Sequence, residues 1–122
     1  MHFSTFSLLP LLALADVALS ICPGFNYAVG NLQYSPDSHY DVWRVYDDSC
    51  KQHDVLSIPG TPGWNPCFQG MFGCSPPPIH FNTYKDSHTG LIYNCRPDPN
   101  SGSCQNDFGT DIISVCCRND GH

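Results

Sequence analysis

The sequence predicts a mainly β protein: a small, disulfide-stabilised antiparallel domain with long Gly/Pro-rich loops. Three observations carry this expectation. Eight cysteines, Cys22, Cys50, Cys67, Cys74, Cys95, Cys104, Cys116 and Cys117, all lie beyond an apolar leader. An even count at this density reads as a disulfide framework. The chain has no Glu, and beyond residue 20 it holds only three Leu (Leu32, Leu56, Leu91) and one Ala (Ala28). Ala, Leu and Glu are among the strongest helix formers, so little material for helices remains. What replaces them is Tyr, Phe, Trp, Val and Ile, which favour strands, and Asp, Gly, Pro, Asn and Ser, which favour turns.

The first twenty residues read as a secretory signal. Phe6 to Leu14 is apolar apart from Ser7 and Pro10, and Ala18-Leu19-Ser20 places small residues before the expected cut. The run is shorter than the roughly 20 residues a membrane span needs. Residues 21–122 are then expected to form one secreted, extracellular domain. Its five cations, Arg44, Lys51, Lys85, Arg96 and Arg118, are scattered singly against ten Asp. Nucleic acid binding, which calls for a basic patch, and attraction to anionic membranes are not expected.

The elements follow in order. Cys22-Pro-Gly24 ties the start of the domain to the fold, and Phe25–Val29 is a first strand. Tyr34–Ser38 is a turn. Tyr40–Tyr46 (YDVWRVY) is the clearest strand of the first half, although both of its faces mix polar and apolar groups. Asp54–Ile58 is a short strand closed by Pro59-Gly60. Gly60–Pro78 holds four Gly and five Pro and reads as irregular. Cys67 and Cys74 are placed to close part of it as a small loop, and Pro76–Pro78 is expected to be extended. Ile79–Tyr84 and Leu91–Cys95 read as a hairpin, with Gly90 able to take positive φ. Arg96–Thr110 is expected to be a second long loop. Asp111–Arg118 (DIISVCCR) is read as the central strand. Neighbouring side chains in a strand point to opposite faces, so Cys116 and Cys117 are expected to bond different partners.

Candidate chemistry is sparse. The short cysteine gaps, six residues between Cys67 and Cys74 and eight between Cys95 and Cys104, do not match the C-x₂₋₄-C pairs of zinc sites. His39 and Asp41 share a strand face without a third ligand in view, and Asp47-Asp48 lacks a calcium-loop pattern. No metal and no cofactor are expected. His39, His53, His80, His88 and His122 are available for acid–base work. His80 and His88 flank the hairpin loop, and with Arg96 they form the constellation to examine for a site. Two histidines, or a histidine and an aspartate, converging in one cleft would favour an enzyme. Scattered histidines with aromatics on one face would favour binding.

The strongest functional feature is the aromatic Gly/Pro-rich stretch with Trp64, Phe68, Met71 and Phe72, joined by Trp43. Aromatic and Met side chains are enriched at binding surfaces. In a scaffold with three leucines, aromatics must also fill the core, and that is the ordinary reading for Trp43. The leader, single small domain, eight cysteines, acidic charge and aromatic turns resemble the small secreted cysteine-rich proteins of fungi, a class that includes effector-like proteins. Hydrophobins carry two cysteine doublets, whereas Cys116-Cys117 is the one doublet here. The resemblance implies a non-enzymatic extracellular binding protein, its partner a protein or a carbohydrate met by the aromatic loop. The alternative is a small secreted hydrolase using His and Asp. Fungal guanyl-specific ribonucleases are of similar size and charge, but they use Glu, which this chain lacks.

Overall fold

A computed structural model describes residues 21–75, 80–98 and 101–119. The expected leader, Pro76–Pro78 with the extended conformation expected of them, Ile79 and His122 lie outside the described residues. The described residues form nine strands: β1 (Tyr27–Gly30), β2 (Gln33–Ser35), β3 (Tyr40–Tyr46), β4 (Gln52–Pro59), β5 (Phe72–Cys74), β6 (Phe81–Lys85), β7 (Ile92–Pro97), β8 (Ser103–Asn106) and β9 (Gly109–Arg118). The described residues contain no α-helix, only a single 3₁₀ turn at Pro66–Phe68. Every strand pairing is antiparallel.

The sheet runs β2-β3-β1-β9-β7-β6-β5, with β4 paired to β3 and β8 to β9. The strand carrying the cysteine doublet is therefore central. Its Cys116 and Cys117 oppose Ala28 and Tyr27 of β1 on one edge, and Arg96 and Cys95 of β7 on the other. Cys116 bonds Cys22, and Cys117 bonds its cross-strand neighbour Cys95. Cys50–Cys104 and Cys67–Cys74 complete the set, with no free cysteine among the described residues.

The two faces of the sheet carry two cores. One gathers Ile21, Ala28, Tyr46, Ile113 and Cys116 with the buried Cys22 and Cys104. The other gathers Val29, Val45, Phe72, Tyr84, Tyr93, Val115 and Cys117. Successive residues in β1, in β3 and in the Val115–Cys117 segment of β9 alternate between them, as the pleat requires. Ile113, two residues before Val115, lies in the other core, where the β1–β9 register shifts between Val29 and Gly30. That explains the mixed patterning of Tyr40–Tyr46: Val45 and Tyr46 are both buried, in different cores. The second core is closed where the two arms of the sheet meet. Trp43 of β3 reaches Phe81 of β6 edge-on, and Tyr84 Oη of β6 donates to Asp54 of β4.

Several boundaries differ from expectation. β4 begins two residues before Asp54 and β9 two before Asp111. Gly60–Pro78 and Arg96–Thr110 are not the long loops expected, because each contains a short strand, β5 and β8. β8, Ser-Cys-Gln-Asn, has no apolar alternation of its own. It is a strand because the start of β9 offers it a partner, from Ser103 opposite Ile112 to Asn106 opposite Gly109. β1 retains Gly30, where a Cβ would collide with the Asp111 carboxylate. The expected hairpin is present as β6–β7, with Tyr84 opposite Tyr93 and Gly90 at φ 78°.

Chain-entropy reasoning ranks the bridges. Cys22–Cys116 spans 94 residues and Cys67–Cys74 spans 7. Removing the former pair with a double Cys→Ala change should cost about 4.5 kcal/mol, against about 2.5 kcal/mol for the latter. Urea unfolding of the two variants beside the parent checks the ranking, and the reverse order would contradict it.

Candidate functional site

The aromatic stretch is divided by its own local structure. The Asn65 side chain caps the 3₁₀ turn by accepting from the Cys67 N–H at 2.8 Å. Pro66 begins the turn, and the Cys67–Cys74 bridge ties it to β5. Phe68 stands on this turn with 82% of its surface exposed, and Trp64 just before it is 51% exposed. Four residues after Phe68, Phe72 is only 3% exposed. It stacks face to face on Phe81, with ring centroids 4.1 Å apart. Phe72 is thus a core side chain, not a surface one, because β5 turns it into the second core. Met71 packs, partly buried, against the same core, as does Trp43.

Trp43 still borders the surface. With Leu32, Pro66 and Phe81 it lines an apolar cleft of about 350 Å³, to which Asn31 and His80 add polar groups. This lies within the size range of small-ligand sites. Pro66 belongs both to the cleft wall and to the turn that carries Phe68, so the exposed aromatics and the cleft share one wall.

The histidines divide differently from expectation. His80 Nδ1 meets Ser75 Oγ at 3.0 Å, His88 lies beyond the far end of β6, and Arg96 sits over the Phe25 ring. These three do not form a site. His88 instead meets His53, which the sequence did not single out. His88 Nε2 donates to the His53 carbonyl at 2.9 Å, and the two rings lie edge to face with centroids 5.0 Å apart. His53 Nε2 faces Asp86 Oδ2 at 2.8 Å, and Asp86 Oδ1 accepts the His88 backbone N–H at 2.8 Å. Tyr27 stacks on His53 at 4.5 Å.

The signal for this cluster was the loop Lys85-Asp-Ser-His-Thr-Gly90 itself. An Asp two residues before His is placed to accept that residue's backbone N–H in an Asx turn. His53 carried no such signal. Its partner lies 33 residues away, and only the meeting of β4 with the β6–β7 loop joins them.

Asp54, beside His53, holds that loop down. Its carboxylate accepts from Tyr84 Oη at 2.7 Å, Ser87 Oγ at 2.8 Å, and the backbone N–H groups of Ser87 and Val55 at 3.0 Å each. Burial acts to raise the pKa of Asp54, but these donors outweigh it and hold the carboxyl below its usual range. Asp86 is balanced the same way. Burial is opposed by the His88 N–H and the His53 ring, and the net shift is downward. Tyr27 is pushed up to about 12, first by burial and then by Tyr93 and Asp86. Asp111, under the other core, behaves oppositely. Its burial outweighs the Tyr46 hydroxyl, the Asn31 N–H and Arg44, so its carboxyl is raised.

Among known proteins, no family model, no curated sequence and no solved structure matches this chain. No helix among the described residues is long and apolar enough to cross a membrane.

The depressed carboxyl of Asp54 gives a pH signature. A lowered folded-state pKa contributes stability above the unfolded value, about 3.9, and loses it as pH falls through the folded value. Asp54→Asn should therefore cost roughly 2 kcal/mol or more at pH 7, by weakening bonds to a charged acceptor. The gap should narrow below about pH 4, as the parent protonates the same group. Thermal midpoints of both proteins between pH 7 and pH 2.5 test this, and a constant gap would contradict it.

Proposed function

We propose that this chain is a secreted, extracellular, non-enzymatic binding protein, effector-like in style, that meets a protein or a carbohydrate through its aromatic turn and the adjoining cleft. One observation carries the reading: Phe68 stands exposed on, and Trp64 exposed just before, a turn fixed by a disulfide, a cap and a proline. An exposed Phe contributes little to folding, and a clamped loop loses little entropy on binding. The shared wall with the Trp43–Phe81 cleft extends the surface into a concave one. The four disulfides accord with an oxidising compartment.

A second reading, a small secreted hydrolase of ribonuclease type, rests on the 2.8 Å contact between His53 and Asp86, with His88 beside them. It is the weaker reading because Asp86 is buried, and the aromatic cleft is lined by other residues. RNA hydrolysis by the purified parent that disappears in His53→Ala would move the assignment to it.

Under the binding reading, Trp64→Ala and Phe68→Ala should each leave the thermal midpoint within about a degree or two of the parent. Each should cost about 2 kcal/mol or more in affinity for a partner found by screening defined oligosaccharides and extracellular proteins. Phe72→Ala is the internal contrast and should cost about 3–5 kcal/mol of stability. Unchanged affinity in the Trp64→Ala/Phe68→Ala double variant, for every partner the parent binds, would overturn the reading.

A further inference from the structure

We propose that His53, Asp86 and His88 form a binding site for a late first-row divalent metal ion of the zinc class. The inference is independent of the aromatic surface. One ligand atom from each of the three residues lies within 4.8 Å of the others. Two imidazoles and one carboxylate form a donor set that suits zinc, copper or nickel better than calcium or magnesium, which favour oxygen ligands. Zinc sites with three protein ligands of this kind leave a fourth position for water.

The geometry needs small adjustments only. Ligand atoms on a tetrahedral zinc stand about 3.3–3.6 Å apart, given bonds of about 2.0–2.2 Å. His53 Nε2 and Asp86 Oδ2 are 2.8 Å apart, joined through the proton that a metal ion would replace. His88 must close the remaining distance and exchange its bond to the His53 carbonyl for one to the metal. Its side chain is exposed, so its ring can turn without disturbing a core. The other two ligands are fixed. His53 is on a strand under the Tyr27 ring, and Asp86 is held by the loop that Asp54 clamps. Backbone bonds from Asp86 N to Leu91 O and from Gly90 N to Asp86 O close that loop.

Charge supplies a second, separate argument. Asp54 and Asp86 are both buried, and adjacent loop residues join them. Among the described residues their hydrogen-bond partners are hydroxyls, backbone N–H groups and the His53 ring, not Lys or Arg. Buried carboxylates are ordinarily paired with cations or coordinate metals. A divalent ion between His53 and Asp86 would supply positive charge beside these two buried carboxylates.

The test is calorimetric titration of the disulfide-bonded chain with zinc chloride in a non-chelating buffer at pH 7.5, with magnesium as the hard-cation control. One zinc per chain is expected, with no magnesium binding. Affinity should weaken at pH 5.5, because protons compete with the metal for imidazole nitrogens. His88→Ala should reduce zinc affinity by about tenfold or more, the scale seen even for residues that only support a ligand. Its metal-free thermal midpoint should match the parent's. Imidazole NMR signals of His53 and His88 should shift on zinc addition while those of His39 and His80 stay in place. Absence of zinc binding by the parent would overturn the proposal. So would undiminished binding by His88→Ala, or shifts confined to His39 or His80; the cluster would then be only a structural pin between β4 and the β6–β7 loop.

Discussion

Two adjacent cysteines in the central strand make one backbone segment the anchor of both cores. Because strand side chains alternate, Cys116 and Cys117 leave β9 on opposite faces. Cys116 reaches back to Cys22, just before β1, and enters the core of Ala28, Tyr46 and Ile113. Cys117 reaches sideways to Cys95 of β7 and enters the core of Val29, Val45 and Tyr84. Each core is small, and with few leucines neither would be large for a domain of this length. Joined through one strand and closed covalently on each side, they act as one.

That arrangement leaves the periphery to polar and aromatic chemistry. On the second-core side, Asp54 replaces apolar packing with a fully bonded carboxylate that holds the β6–β7 loop against β4. The same clamp sets Asp86 and His88 beside His53. Elsewhere on the surface, the Cys67–Cys74 bridge and the Asn65 cap fix a turn whose aromatic side chains are not needed by the core. Two distinct surfaces stand on one frame, an apolar one that we propose for recognition and a His/Asp one that we propose for a metal ion. Neither depends on the other, since they share no residue.

The frame was legible because its signals are local. The doublet, the β-rich run around it, the YDVWRVY strand and the turn chemistry of Gly90 each state their structure within a few residues. Spacing places Cys67 and Cys74 to close a small loop but does not choose that bridge among the pairings of eight cysteines; the structure has it. What was not legible depends on partners distant in the chain. β8 is polar and becomes a strand only against the start of β9. β5 lies among glycines and prolines and is a strand because Phe72 pairs opposite Tyr84. Phe68 and Phe72 look alike in sequence, and a 3₁₀ turn followed by a strand sends one outward and the other inward. His53 gave no sign of its role because Asp86 reaches it through the closure of the sheet, not through spacing.

The central claim is that β9 and its doublet carry the stability of the whole domain. Native-state amide hydrogen exchange, read residue by residue, tests it most directly, since the slowest amides report global opening. The slowest exchange should fall on Val115–Cys117 and on the Ala28 and Val29 amides beside them, with Trp64–Phe68 among the fastest. Slowest exchange confined to β3 and β4, with β9 opening earlier, would contradict the account.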